Sequence, residues 1–169
     1  SNMENLIGGS GSDVLTLAAG SGSISVGNGS FTSGSTLNHS NIESLNMTTT
    51  ATITVSANPV LSGTLDLNGG SIGLDASVTT VGNQSYTGPV RLGANVTLVS
   101  SSKGDIDLSD TVDGAQPLTI SSGSTNDGGS VTFGGAVGGS TALTSLTIDA
   151  DLVILNGGAI TTSGLIDIE

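Results

Sequence analysis

The sequence predicts an all-β solenoid, a right-handed parallel β-helix, on three observations. Aliphatic and small polar residues alternate with period two almost throughout, no window gathers helix formers at helical spacing, and one block repeats itself after 25 residues. Period-two alternation marks strands with one buried face. Self-similarity at a fixed spacing separates a stack of coils from a sandwich of hairpins, which would need a two-residue turn at every reversal.

Taken in order, strands are expected at Val14 to Leu17, Ser23 to Val26, Ala51 to Val55, Thr64 to Leu67 and Val96 to Leu98. Further strands follow at Asp105 to Leu108, Leu118 to Ile120, Val131 to Phe133, Leu146 to Ile148 and Ile166 to Ile168. Each sets aliphatics on one face and Thr, Ser or Asp on the other, and each is closed by a Gly, Asn or Asp turn. In the clear repeat, Ile106, Leu108, Val112, Gly114, Leu118 and Thr119 correspond to Val131, Phe133, Val137, Gly139, Leu143 and Thr144. A weaker pair sets Asn2 to Leu6 against Asn41 to Leu45. Leu98 and Ile120, like Ile148 and Ile168, lie about one coil apart. The expected inward ladders therefore include Leu98, Ile106, Leu108, Ile120, Val131, Phe133, Leu146 and Ile148. At about 20 to 25 residues per coil, the chain would make about seven or eight coils. With adjacent strands about 4.8 Å apart, they would span roughly 35 Å.

Composition narrows the function classes. The 169 residues carry 2 Lys+Arg against 14 Asp+Glu, a net charge of −12, with 27 Gly, no Cys and 2% aromatics. Arg91 and Lys103 cannot form the basic patch that phosphate backbones require, so nucleic acid is excluded as a partner. Without cysteine there is no disulfide framework, thiolate metal site or thiol nucleophile. Gly, Ser or Asp interrupts every apolar stretch, so no transmembrane segment is expected. Recurrent Val, Ile, Leu and Thr argue against disorder, and the shortage of aromatics leaves a core layered from aliphatics. Ser1 and Asn2 read as a tag-cleavage scar, and 3–169 as a single solenoid segment, a fragment of a longer repetitive protein. The first residues, Ser1-Asn2-Met3-Glu4, show neither the basic region nor the apolar run of a signal peptide.

The stretch from Thr80 to Ala150 carries Val81-Gly82-Asn83-Gln84-Ser85-Tyr86-Thr87-Gly88-Pro89-Val90, then Leu92-Gly93-Ala94. It continues with Val112-Asp113-Gly114-Ala115-Gln116-Pro117-Leu118-Thr119 and Phe133-Gly134-Gly135-Ala136-Val137-Gly138-Gly139. This stretch resembles the repeats of very large bacterial surface proteins of the filamentous haemagglutinin-like, adhesin-like type. The resemblance implies a β-helical shaft that is exported across the outer membrane and displays binding regions away from the cell. It brings no catalytic residues.

Three constellations carry possible chemistry. Gly8-Gly9-Ser10-Gly11-Ser12-Asp13-Val14-Leu15-Thr16 fits the nonapeptide of calcium-binding β-rolls, making Asp13 a weak Ca²⁺ candidate. A lone copy supplies half a site, and a Gly-rich turn entering a strand is the favoured reading. Asp105, Asp107, Asp110 and Asp113 lie within nine residues with only Lys103 nearby, so they too are Ca²⁺ candidates. The favoured reading there is a solvated acidic ridge that opposes self-association, because Ser130, Thr132, Gly135 and Gly138 of the next repeat carry no carboxylate. A polysaccharide-processing enzyme could draw on these acids with Asp149 and Asp151, and on Tyr86, Phe31 and Phe133 for stacking. It would have only Arg91 and Lys103 as basic partners, and Phe133 alternates with the core side.

His39, the single histidine, sits in a polar stretch without a nucleophile-elbow pattern. Asn28, Asn38, Asn46, Asn83 and Asn95 open formal glycosylation sequons of the kind that chains rich in Asn, Ser and Thr produce by chance. The expectation is therefore a non-enzymatic structural segment of a secreted or surface-displayed bacterial protein, without catalytic or cofactor-binding residues. Its partners would be neighbouring repeats of the parent protein, and host or cell-surface glycans or proteins. The alternatives are a carbohydrate-binding or polysaccharide-processing β-helix and a calcium-dependent β-roll.

Overall fold

The computed structural model describes residues 5–27, 30–33, 35–40, 42–123 and 128–169. Ser1 and Asn2, expected to be a scar, the Asn28 sequon and parts of both halves of the weaker repeat fall outside the described residues. So do the side chains of Phe31 and His39.

Every described element is a strand, a turn or a bend, and there is no helix among them. The chain opens with β1 (Asn5–Ile7), β2 (Val14–Ala18) and β3 (Ile24–Gly27), then doubles back through β4 (Ser30–Ser33) and β5 (Ser35–Ser40). Coiling proceeds through β6 (Ser44–Val55), β7 (Val60–Leu61), β8 (Leu65–Leu74), β9 (Val78–Thr80), β10 (Gln84–Thr87), β11 (Val90–Leu92) and β12 (Val96–Ser100). It continues through β13 (Ile106–Leu108), β14 (Val112–Asp113), β15 (Pro117–Gly123), β16 (Ser130–Phe133), β17 (Ser145–Ala150), β18 (Leu152–Leu155) and β19 (Ile166–Ile168). The strands form a 13-stranded and a 6-stranded sheet. Apart from the β3–β4 and β4–β5 pairs, the pairing is parallel. The predicted β-solenoid is the fold.

Three sets of inward columns build the core. Leu45, Leu65, Gln84, Ile106, Val131 and Val153 stack in register, and Met47, Leu67, Tyr86, Leu108, Phe133 and Leu155 run beside them. A second set runs Ile24, Ile53, Ile72, Val90, Val112, Val137 and Ile160. The third, in the smaller sheet, runs Val78, Leu98, Ile120, Ile148 and Ile168, with Val96, Leu118, Leu146 and Ile166 alongside. All the inward positions named from the sequence are buried. Because most rungs of each column are aliphatic, the core needs little aromatic filling beyond Tyr86 and Phe133.

The coil count is about five turns rather than seven or eight. Dividing length by period assumes that every residue advances the helix. The step from Leu15 to Leu45 takes far more chain than the later steps, because β4 and β5 fold back on β3 in antiparallel fashion and β1 then adds to β5.

The 25-residue repeat holds for half a coil. Ile106 stacks on Val131, Leu108 on Phe133 and Val112 on Val137, as the spacing predicts. Leu118, however, pairs with Leu146 and Thr119 with Thr147, three residues beyond the expected Leu143 and Thr144. The slip arises at Gly138 to Ala142, where an added turn inserts Leu143 into the core and bridges it to Thr162.

One corner of the interior is polar. Tyr86 Oη donates to Gln84 Oε1 at 2.7 Å, and Gln84 Nε2 donates to Val99 O at 2.7 Å and to Thr80 Oγ1 at 3.1 Å. Thr80 in turn donates to Gly82 O at 2.5 Å, and Ser100 donates to the same carbonyl at 2.9 Å while accepting from Gly104 N. These groups are buried, and so satisfied polar atoms replace an aliphatic rung without the cost of an orphaned donor. Burial also pushes the Tyr86 phenol well above its ordinary range.

Candidate functional site

The acidic segment is the part of the surface with the densest chemistry. Asp105 precedes β13, and its Oδ1 accepts from Ser130 N at 2.8 Å and from Ser130 Oγ at 2.7 Å, on the next coil. These two donors hold its carboxyl below the usual carboxylate range. Asp107, half-buried on β13, accepts from Ser109 Oγ at 3.1 Å, and Asp110 Oδ1 accepts from Thr111 N at 2.7 Å. Asp113, on β14, accepts from Ser140 N at 2.8 Å and Thr141 N at 2.9 Å, and so pins the added turn of the next coil.

The four candidates are not gathered at one point. β13 stacks through β10 on the Leu65–Leu67 part of β8, whereas β14 stacks through β11 on Ile72 and Gly73. Asp105 and Asp113 instead act as clamps from one coil to the next, each satisfying backbone N–H groups that the irregular ladder leaves over. Asp13, the fifth candidate, is also engaged: Gly9 N donates to its Oδ2 at 2.6 Å, closing the Gly-rich turn ahead of β2. Its own N–H donates to Glu43 Oε2 at 2.6 Å, and its carbonyl accepts from Glu43 N and Ser44 N, both at 3.1 Å. Among the described residues, no group of three or more His, Cys, Asp or Glu side chains is placed to hold a metal ion.

The remaining candidates scatter. Asp149 accepts from Ser121 Oγ at 3.3 Å on the smaller sheet, away from the acidic segment. Arg91 lies beside Asp113 in register across β11 and β14, and Lys103 occupies a left-handed turn with φ of 64°. Tyr86 and Phe133 both lie in the core and offer no ring to a ligand, which corrects the reading of Tyr86 as a stacking residue. His39 contributes its backbone, paired with Leu6. Asn83 and Asn95 are exposed at turns, and Asn83 Oδ1 accepts from Asp105 N at 3.0 Å.

Sequence reasoning missed two partners. Ser130 was legible as the residue one repeat beyond Asp105, but a hydroxyl opposite a carboxylate reads as the loss of a metal ligand until the geometry makes it a donor. Glu43 was visible only as part of the weaker repeat.

The Asp105 clamp makes stability depend on pH in a definite direction. A carboxylate whose folded value lies below its unfolded value adds stability above the unfolded value, near 3.8, and loses it as pH falls through the folded one. In acid titrations followed by circular dichroism, Asp105→Asn is expected to flatten the loss of stability below about pH 4. Titration calorimetry is expected to show no stoichiometric Ca²⁺ heat that Asp107→Asn with Asp110→Asn removes, and such a heat would restore the metal reading.

No protein-family model, curated protein or solved structure matches the chain. The likeness to adhesin repeats therefore rests on the quoted sequence patterns.

Proposed function

We propose that the chain is a non-enzymatic structural segment of a secreted or surface-displayed bacterial adhesin-like protein, part of a rigid β-helical shaft. The observation that carries this reading is that two carboxylates of the acidic segment serve the stack itself. Asp105 and Asp113 join one coil to the next, in a body whose columns run unbroken from Leu45 to Val153. Carboxylates that accept hydrogen bonds from the backbone resist shear between coils, and they are poorly placed for proton transfer to a substrate. Neighbouring repeats of the parent protein are the natural partners of such a segment. Host or cell-surface glycans or proteins would be met by whatever the shaft displays.

The carbohydrate-processing alternative calls for a groove of aromatics and carboxylates on one sheet. Both aromatics whose side chains are described are buried, and the described acids are spread over separate arms. The test is a panel of acidic and neutral glycans incubated with the purified chain. No turnover is expected, and turnover of any of them would overturn the structural reading.

A further inference from the structure

The tetrapeptide Leu-Asn-Gly-Gly occurs twice, at 67–70 and at 155–158. In both copies the asparagine is exposed and follows a leucine of the same inward column, the one that also carries Tyr86 and Phe133. The backbones after the two asparagines differ. β8 runs on through the corner to Leu74, and Gly69 is buried within it, in register with Thr49 of the preceding coil. Gly88 of the following coil packs on the Gly69 carbonyl, so the Asn68–Gly69 peptide is held from both sides. β18 instead ends at Leu155. Asn156 N donates to Phe133 O at 2.9 Å, and among the described residues Gly157 N donates to nothing. This freedom belongs to the corner and not to the end of the chain. Gly135 takes the same position one coil down and is covered by Gly157, yet its N–H is likewise without a partner among the described residues.

We propose that Asn156 is a self-modification site, at which the chain converts its own side-chain amide into a carboxylate. Gly157 N, on losing its proton to solvent, attacks Asn156 Cγ. The bond from Gly157 N to Cγ forms, the Cγ–Nδ2 bond breaks, and Nδ2 takes up a proton and leaves as ammonia. Water then opens the five-membered imide at either carbonyl, leaving aspartate or its isomer with the main chain routed through the side-chain carbonyl. Ring closure requires Gly157 N to turn toward the Asn156 side chain, and a residue with no β-carbon and no ladder bond permits that turn. At Asn68 the same turn would pull Gly69 out of its pairing between coils. Packing fixes the glycine, because a Cβ on Gly157 would run into the backbone of Gly135. The corner that demands a glycine therefore also makes the asparagine before it reactive. The product adds a negative charge to a chain of net charge −12. The proposal rests on the corner geometry and is independent of the shaft reading.

Arg91 and Lys103 place the two asparagines in different tryptic peptides, 1–91 and 104–169. The folded chain is aged in mildly alkaline buffer, with circular dichroism confirming that it stays folded, and is then unfolded and digested. Fragment-ion mass spectrometry assigns the amide-to-acid mass gain to individual residues. Asn156 should convert roughly tenfold faster than Asn68 or more, since freeing Gly69 forfeits buried hydrogen bonds. When ageing is carried out in urea, the two rates should converge, because the tetrapeptides are identical. Equal rates in the folded chain, an Asn156 that keeps its amide, or a difference that persists in urea and so belongs to the flanking sequence would each overturn the proposal.

Discussion

Replacing Ile120 with Asp should unfold the chain or bring it close to unfolding. Ile120 lies on β15 between Leu98 and Ile148 in register, and all three are fully buried. The substitution removes a buried aliphatic, worth about 2–5 kcal/mol at such sites. It also places a carboxylate between two coils where no donor faces it, which costs several kcal/mol more or forces protonation. Against a total stability of about 5–15 kcal/mol, that sum is decisive. Urea titration by circular dichroism should show the midpoint lost or displaced to very low denaturant. Thr132→Ala, on the outward side of β16 between Asp107 and Ile154, is the control and should shift the midpoint by no more than about 0.5 kcal/mol. Equal effects from the two would contradict the assignment of inward and outward faces.

Gly88→Val should be nearly as severe, by a different route. Gly88 turns the corner between β10 and β11 with φ of 125°, a conformation L side chains rarely adopt. A Cβ there would run into the carbonyl oxygen of Gly69 on the preceding coil. That oxygen is backbone, so relief requires the two coils to part rather than a side chain to turn. The strained backbone alone costs about 1–3 kcal/mol, and disturbance of the flanking Tyr86 and Val90 rungs adds to it. Gly20 also has a positive φ, 56°, but nothing lies within 4 Å of the position of its Cβ. Gly20→Ala should therefore lower stability by no more than about 1–2 kcal/mol. Thermal unfolding of the two variants side by side separates collision between coils from local backbone strain.

The sequence alone determined that the chain is all β and coiled, and which face is buried in each named strand from Ser23 to Ile148. The reason is local: alternation in Asp105-Ile106-Asp107-Leu108 or Leu118-Thr119-Ile120 selects one side of one strand whatever its neighbours are. Stacking of Leu98 on Ile120 and of Ile148 on Ile168 was legible as well, because those coils carry no insertion. Strands such as β7 and β14 were not legible, since two residues between turns are too short to show a period. Tyr86 illustrates another limit. Its place in the core depends on Gln84, which in turn depends on Thr80 and on the Val99 carbonyl one face away, a closed set of donors and acceptors that no spacing announces.

Tertiary structure alone decided the fate of the acidic residues. In the sequence, Asp105, Asp107, Asp110 and Asp113 form one cluster with two readings, an ion site or a solvated ridge. The fold turns a corner between β13 and β14, sending them to different arms, and brings Ser130, Ser140 and Thr141 of the following coil to Asp105 and Asp113. The partners of Asp105 and Asp113 sit one coil away, and the length of that coil is set by turns such as Gly138 to Ala142 that shift the register by three residues. Strand character depends on neighbouring residues in the chain, whereas the role of a surface charge depends on which backbone N–H groups the next coil leaves without a partner.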